Sequence, residues 1–213
     1  MIDRATPPLL VKSGFDLAEA DIIAAIGTLS LSAQECEVYG KALLNCFKRN
    51  PTFFMAAWYQ SAPVGFFFSI PLQTNFVREW CNGSHDLIFS NLSFPEKGFV
   101  HNSTNPTTFG LLLEVIHIPK SEKISSSVVM YALMQYFADT LIEQAKLNRM
   151  VSGFYADAYN ESGSQLSRLL GLEKCRQTQT GWLYRTIGMP QKMLLYTAAD
   201  RPLLQQLYAK KDS

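Results

Sequence analysis

The chain has 213 residues, of which 47% are apolar and 17% are charged, and its formal net charge is +1. This composition excludes a disordered chain and a strongly basic nucleic-acid-binding protein, so any phosphate site has to be local. The length suits one domain with a sizeable core.

The cysteines and histidines argue against a metal site. Neither residue type shows ligand spacing such as CxxC or HxxxH, so we expect no bound metal. The cysteines are typical of reduced thiols in a cytoplasmic protein, although a disulfide stays open. The N-terminus lacks the apolar segment of a signal peptide, and no apolar run approaches the length of a membrane span. We therefore expect a cytoplasmic protein without membrane or nucleic-acid partners. The cysteines are Cys36, Cys46, Cys81 and Cys175.

The N-terminal part predicts a short strand followed by two helices. The strand is expected over Leu9–Val11. Asp16 is placed as the N-cap of a helix over Leu17–Ile26. Ser32 is placed as the cap of a second helix, Ala33–Lys48, whose apolar residues form one stripe.

A hairpin and a long irregular stretch come next. Aromatic and apolar residues predict strands over Thr52–Tyr59 and Val64–Ile70, with a turn between them. Residues 73–108 hold Asn, Gly, Ser, Pro and His among scattered aromatics. Such a stretch is often a lid or a binding loop, and a surface insertion with its own small hydrophobic cluster is the alternative.

The C-terminal half alternates strands and helices. Phe109–Ile118 is strongly apolar and ends at Pro119, so it is expected to be a central strand. Gly171 is expected just after the end of a short helix. The other predicted elements are a helix over Ser125–Leu147, a strand over Met150–Ala158, a helix over Glu161–Leu170, a hairpin of Lys174–Thr178 and Trp182–Ile187, and an extension at about 189–213 with a strand (Lys192–Tyr196) and a helix (Pro202–Lys210).

This order of elements predicts the class of fold. Strand–helix–strand crossovers imply parallel pairing, whereas hairpins imply antiparallel pairing. We expect an α/β fold with a mixed sheet and helices on both faces, in a single domain over residues 1–213.

Two stretches match the motifs of a known family. Trp58–Phe66 runs through a turn into Val64-Gly65-Phe66 and resembles the hairpin turn into x-x-V-G-F of the GNAT superfamily of N-acyltransferases. Asn160–Leu172 follows a strand and precedes a hairpin, and it resembles N-x-x-A-x-x-L-Y-x-x-x-G-F. In this second motif Asn160, Leu166 and Gly171 match, Gly163 takes the small position and Leu172 the aromatic one. The chain is identified as a divergent member, with the resemblance covering roughly residues 52–188.

The resemblance implies a fold and an activity. The fold is a GNAT-like mixed, mostly antiparallel central sheet with helices on both faces. The activity is N-acyl transfer, typically N-acetyl transfer, from acetyl-CoA or another acyl-CoA directly to a small-molecule or protein amine. Asn160 is expected to contact the cofactor. A backbone N–H near Val115, Ile116 or His117 is expected to polarise the thioester.

Two departures from the family pattern concern its chemistry. Ser167 stands where the family has a tyrosine that protonates the departing thiolate, and Tyr155 and Tyr159 are the substitutes considered. The family's glycine-rich pyrophosphate loop corresponds here to 119–127, which has no glycine. Lys123, Ser125, Ser126 and Ser127 are the expected phosphate ligands, and a plain serine N-cap after a charged loop is the alternative.

Glu114 is the candidate general base because it lies within an apolar strand, where burial would raise its pKa. The alternative is a glutamate that is hydrogen-bonded at a strand edge. His117 is either a proton relay or a structural histidine. Asp157 either holds an amine substrate or interacts with a neighbouring helix.

Three functions stay open at this point. The first is an acyl-CoA-dependent N-acyltransferase in which Glu114, Ser167 and Tyr155 are catalytic. The second is a catalytically degenerate GNAT-like domain that binds a ligand or a protein. The third is an acyltransferase that takes its acyl group from an acyl-carrier protein. A homodimer is compatible with each of them.

Overall fold

The computed structural model describes residues 9–84, 100, 107–179 and 181–187. These residues form seven strands and five α-helices, with one 3₁₀ turn at Gly14–Asp16. In chain order the elements are β1 (Leu10–Ser13), α1 (Glu19–Ile26), α2 (Ala33–Arg49), β2 (Phe54–Tyr59), β3 (Ala62–Gln73), α3 (Thr74–Cys81), β4 (Thr108–His117), α4 (Ser126–Lys146), β5 (Met150–Ala158), α5 (Glu161–Leu169), β6 (Glu173–Gln177) and β7 (Trp182–Ile187).

The strands form one mixed sheet in the order β1-β2-β3-β4-β5-β7-β6. Every neighbouring pair is antiparallel except β4 and β5, which are parallel. This exception follows from the chain path, because α4 crosses over between β4 and β5 and returns the chain to the same end of the sheet. The predicted mixed, mostly antiparallel sheet is confirmed.

One face of the sheet is covered by α4. Leu133, Phe137 and Leu141 repeat every four residues along this helix and are buried, as an amphipathic core helix requires. The Phe137 ring contacts those of Phe67 and Phe154, with centroids 4.8 and 6.2 Å away. Each fully buried aromatic or leucine side chain contributes roughly 1.5–3 kcal/mol, so this row anchors α4 to the sheet.

The opposite face is covered by α1, α2 and α3. Ile22 of α1, Leu43 of α2 and Trp80 of α3 pack in one buried cluster with Phe66 and Phe68 of β3. The predicted placement of helices on both faces is therefore confirmed.

The start of the first helix was predicted wrongly. Asp16 belongs to the 3₁₀ turn, and α1 begins only at Glu19. Asp21 takes over the capping role from within the first turn, because its carboxylate accepts a hydrogen bond from the Ala18 N–H at 2.8 Å. Lys12, which lies in β1, forms an ion pair with that carboxylate, and its Nζ lies 3.0 Å from Asp21 Oδ1.

The stretch 73–108 is not irregular throughout. Its first residues complete β3 and form α3, because Phe76, Val77 and Trp80 bury one side of a helix against the sheet. Residues 85–99 and 101–106 lie outside the described residues, as does the extension at 189–213 with its predicted strand Lys192–Tyr196 and helix Pro202–Lys210. The assignment of one domain to 1–213 stays a prediction.

Candidate active site

A β-bulge in the central strand marks the candidate site. Phe68 of β3 lies opposite Val115 of β4, but the next β3 residue, Ser69, lies opposite Leu113. Glu114 is therefore the extra residue of β4. A bulge bends its strand and re-aims a side chain, which is why such irregularities occur beside active sites.

The parallel strands β4 and β5 separate beyond the middle of the sheet. Their pairing ends at Leu112 and Tyr155, although β4 continues to His117 and β5 to Ala158. Between the diverging ends lies a cleft of about 340 Å³. Its lining comes from both faces of the sheet and from α5. The lining residues are Leu113, Glu114, Ile116, His117, Ala156, Asp157, Ala158, Tyr159, Asn160, Ser162, Gly163, Leu166, Ser167 and Leu170.

The N-terminus of α5 forms one wall of the cleft. Asn160 is its N-cap, and its side-chain oxygen accepts a hydrogen bond from the Gly163 N–H at 2.8 Å. A Cβ added at Gly163 would lie 3.4 Å from the Ala158 Cβ, so the glycine keeps this part of the wall open. The free N–H groups and the positive dipole end of a helix start favour polar or anionic groups at this place.

The end of α5 follows the motif that the sequence predicted. Gly171 has a φ of +88°, the left-handed region that glycine adopts without a steric penalty. Its N–H bonds to the Arg168 carbonyl and that of Leu172 to the Ser167 carbonyl, which together make a Schellman motif. This ending fixes the length of α5 and thereby the position of its start beside the cleft.

Ser167 lines the cleft, but its hydroxyl already has a partner. The Ser167 hydroxyl donates a hydrogen bond to the Gly163 carbonyl oxygen at 2.9 Å, one turn back along α5. Ser and Thr hydroxyls often bond in this way within helices. The proton of Ser167 has to leave this bond before it can reach a substrate, and its role as a donor stays a prediction.

Glu114 faces the α2 side of the sheet and meets a tyrosine there. The Tyr39 hydroxyl donates a hydrogen bond to Glu114 Oε1 at 3.1 Å. Burial raises the pKa of Glu114, the bond from Tyr39 opposes the rise, and the negative charge of Asp157 adds to it, which together bring the pKa to about 8. Burial and the adjacent Glu114 charge raise the pKa of Tyr39 well above its usual value, so Tyr39 remains a donor.

Asp157 and Tyr159 complete this wall. Thr178 donates a hydrogen bond to Asp157 Oδ1 at 3.0 Å, and the Gly181 N–H donates to the Thr178 hydroxyl at 3.0 Å. The turn between β6 and β7 therefore holds the Asp157 carboxylate. Burial and the charges of Glu114 and Asp157 raise the pKa of Tyr159, so its hydroxyl stays protonated in the cleft.

His117 closes the cleft toward the connection between α1 and α2. Burial lowers the pKa of His117, and a hydrogen bond with the Thr28 backbone opposes this effect. The imidazole is therefore neutral near pH 7. Its ring lies 5.4 Å from that of Phe66, and Nε2 is buried without a hydrogen-bond partner among the described residues.

Of the remaining predicted residues, some line this cleft and others do not. Ile116 lines it directly, and the Val115 backbone belongs to the same β4 segment. Tyr155 packs its ring against Trp80, with centroids 6.5 Å apart, and is not among the described residues that line the cleft. Burial raises the pKa of Tyr155 to about 12. Its catalytic role stays a prediction without a contact to the cleft.

The serines expected to bind phosphate lie at the start of α4. Ser125 is the N-cap, and its hydroxyl accepts a hydrogen bond from the Ser127 N–H at 3.4 Å. Ser126, Ser127 and Lys123 are exposed. These observations confirm a serine cap, and they leave the expected phosphate contacts as a prediction.

Tyr39 is the site residue that the sequence did not single out. It belongs to the apolar stripe of α2, where a tyrosine is most simply explained as packing. Its partner lies 75 positions away along the chain. Only the bulge, which turns Glu114 toward α2, brings the two together.

Known proteins resemble the chain in structure rather than in sequence. No protein-family model and no curated protein matches it. PH1933 from Pyrococcus horikoshii OT3 is 11% identical with a TM-score of 0.51, over 84% of this chain and 98% of that chain. SsHAT is 14% identical with a TM-score of 0.53, over 85% and 98%. PaiA N-acetyltransferase from Thermoplasma acidophilum, solved with coenzyme A, is 11% identical with a TM-score of 0.46, over 84% and 99%.

Identities this low establish the fold alone. Together with the strand order and the single parallel pair, the likeness confirms the GNAT-like mixed, mostly antiparallel sheet that was expected from the sequence.

Two further features of the described residues concern metal binding and membrane insertion. No group of three or more His, Cys, Asp or Glu side chains there is placed to hold a metal ion. None of the helices in the described ranges combines the length and apolar character that a bilayer-spanning segment needs.

Proposed function

We propose that the protein is an N-acyltransferase that moves an acyl group from acyl-CoA directly to an amine. The observation that carries this proposal is the cleft between β4 and β5, which has a carboxyl group with a pKa of about 8 at its bulge. A group that titrates near the working pH is suited to take a proton from an amine during attack.

The acyl-CoA arm is placed along α5 and the exposed edge of β4. The cleft wall there consists of small or apolar residues, Ala156, Ala158 and Gly163 among them, which leave room for an extended chain. Asn160 and the backbone of Val115, Ile116 and His117 supply polar contacts to the arm and the thioester oxygen. The phosphates are placed at the start of α4, where Lys123, Ser125, Ser126 and Ser127 supply positive charge, hydroxyls and free N–H groups.

The amine is placed on the α2 side, beside Glu114. The carboxylate form of Glu114 accepts a proton from the ammonium group, and the resulting amine attacks the thioester carbon. A C–N bond forms and the C–S bond breaks, so the thiolate of CoA leaves. The nitrogen is positively charged after the attack and loses its second proton, and the thiolate takes up a proton from a donor that this second proton restores. Ser167, Tyr155 and Tyr159 are the proton donors considered from the sequence, and of these Ser167 and Tyr159 line the cleft.

Tyr39 has a positioning role in this scheme. Its hydroxyl bonds to Glu114 Oε1 and favours the ionised carboxylate against the effect of burial. Without this bond, a smaller fraction of Glu114 would be ready to accept a proton at pH 7.

Binding is tested by thermal melting with acetyl-CoA, longer acyl-CoAs and free CoA. A ligand that binds the folded state raises the melting temperature, by roughly 5–10 °C at a hundredfold excess over its Kd. Absence of a shift with all three ligands would contradict the proposal. Release of free thiol from acetyl-CoA, measured across a panel of small amines and peptides, then reports transfer.

A catalytically degenerate ligand-binding domain is the second candidate. The observation that favours it is the Ser167 hydroxyl, which is engaged with the Gly163 carbonyl where the family has a tyrosine. Tight binding of acyl-CoA without thiol release for any amine would support this candidate over the enzyme.

A further inference from the structure

A second cluster of chemically reactive side chains lies outside the cleft, where the end of α3 meets β6 and β7. We propose that Cys81 and Cys175 are a redox-active thiol pair that hydroperoxides convert into an intramolecular disulfide. This proposal is independent of acyl transfer.

The two thiols are neighbours. Cys81 ends α3 and Cys175 lies in β6, and Cys175 is close enough to raise the pKa of the Cys81 thiol. Both are half-buried at the edge of the same apolar cluster, and both are free thiols in this structure. A small reagent can therefore reach two neighbouring thiols.

The surrounding structure explains why this pair forms. Arg176 Nε donates a hydrogen bond to the Trp80 carbonyl at 2.8 Å, which fixes the end of α3 against β6. In the pairing of β6 with β7, Lys174 lies opposite Tyr184 and Arg176 opposite Leu183. Cys175 is therefore the extra residue of a bulge, a place where a strand re-aims its side chain.

Arg185 lies beside the two thiols. The Arg185 guanidinium hydrogen-bonds to the Cys81 thiol and also interacts with Cys175. Burial and the proximity of Cys175 raise the pKa of Cys81, and Arg185 opposes this rise. Because the thiolate is the reactive form, this arginine favours reaction of a thiol that burial would otherwise keep protonated and unreactive.

The other two cysteines lack these features. Cys46 is buried, and burial and the charge of Glu114 raise the pKa of its thiol far above the usual range. Cys36 lies on the first turn of α2, where its thiol has only a long contact of 3.9 Å to the Leu31 carbonyl. They therefore serve as internal references for the reactivity of the pair.

The chemistry balances with one equivalent of hydroperoxide. One thiolate attacks the peroxide oxygen, so that an S–O bond forms, the O–O bond breaks and hydroxide leaves. The second thiolate attacks the resulting sulfenic sulfur, so that the S–S bond forms and a second hydroxide leaves. The two thiol protons and the two hydroxides give two waters when the oxidant is hydrogen peroxide. The two sulfurs lose two electrons in total, which the peroxide accepts.

The test treats the reduced full-length protein with a small excess of hydrogen peroxide, blocks the remaining thiols, and analyses a non-reducing digest by mass spectrometry. We expect the peptides that carry Cys81 and Cys175 to be joined and two hydrogens lighter than their sum. A reductant should restore both. Cys36→Ser is the matched control and should form the link to the same extent, whereas Cys81→Ser and Cys175→Ser should not form it.

The role of Arg185 is tested separately, by the rate at which the disulfide forms. Arg185→Gln should slow formation of the link severalfold while its final yield is kept. An unchanged rate would overturn that role. The whole proposal is overturned if peroxide oxidises Cys36 while Cys81 and Cys175 remain separately alkylated, or if the disulfide found joins two chains.

Discussion

The two walls of the cleft are built in different ways. The α5 wall rests on local features: the Asn160 cap, the small residue Gly163 and the left-handed Gly171 all lie within twelve residues of one another. The α2 wall rests on contacts between distant parts of the chain, such as Tyr39 with Glu114 and Asp157 with Thr178. The α5 wall presents small groups and a helix start, whereas the α2 wall concentrates carboxyl and phenol groups. In the proposed enzyme the first wall holds the acyl donor and the second handles the proton, so changes to each should have separable effects.

The largest effect is expected from removing the carboxyl group of Glu114. Glu114→Gln keeps the size and can still accept a bond from Tyr39, but it cannot take up a proton. We expect kcat of acyl transfer to fall about a hundredfold or more, because general base catalysis contributes on that scale. The affinity for acyl-CoA, measured by calorimetry, should change less than twofold.

Glu143→Gln is the matched control for that substitution. Glu143 is an exposed glutamate near the end of α4 and is not among the described residues that line the cleft, so its loss should leave kcat unchanged. Equal losses in the two variants would remove the distinction between the two walls.

A smaller effect is expected at Tyr39. Tyr39→Phe removes one hydrogen bond to the carboxylate, so the pKa of Glu114 should rise further. The acidic limb of the pH profile of kcat/KM should move to higher pH, and activity at pH 7 should fall about three- to tenfold. Tyr131→Phe, on the exposed side of α4, is the control and should leave the limb in place. A lower rate with an unmoved limb would indicate a structural role for Tyr39.

The proposed phosphate site is tested at the start of α4. Ser126→Glu places a negative charge in the first turn of a helix, which stabilises that helix by a few tenths of a kcal/mol while repelling phosphate. We expect the affinity for acyl-CoA to fall about three- to tenfold, while the melting temperature of the free protein stays the same or rises. Unchanged affinity would place the phosphates elsewhere.

The last prediction concerns stability rather than activity. Because burial raises the pKa of Glu114 to about 8, the folded state keeps a proton that the unfolded state releases near its ordinary pKa of 4.5. This contribution to the free energy of unfolding is fully present below pH 4.5 and is lost as the pH rises to about 8. Urea unfolding of the wild type should therefore show this decline, and Glu114→Gln should lack it. Parallel pH dependences in the two proteins would mean that Glu114 is not buried as described.

Local signals explain most of what the sequence could predict. Ser32 with Glu35 forms the capping box at the start of α2, and α5 begins at Glu161 and is followed by Gly171 as expected. The apolar runs of β4 and β5 were located within a residue or two. These features depend on neighbours within one turn or on strand periodicity, so a single sequence carries them.

The errors and omissions came from tertiary structure. Asp16 is a good cap by type, but Asp21 caps α1 from inside because Lys12 of β1 holds it there. α3 was missed because its short apolar side was hidden among turn-forming residues. The pairing of Glu114 with Tyr39 depends on the bulge, which shifts the alternation of β4 by one residue. A pattern of alternating residues cannot predict where that shift occurs.

The most direct test of the proposed acyl transfer is the pH dependence of thiol release from acetyl-CoA with the best amine of the panel. The wild type should lose kcat/KM below a pH near 8, with a slope of one proton, and Glu114→Gln should retain a low rate without that limb. Wild-type and Glu114→Gln proteins with the same rate and the same pH profile would contradict the assignment of Glu114 and of the cleft around it.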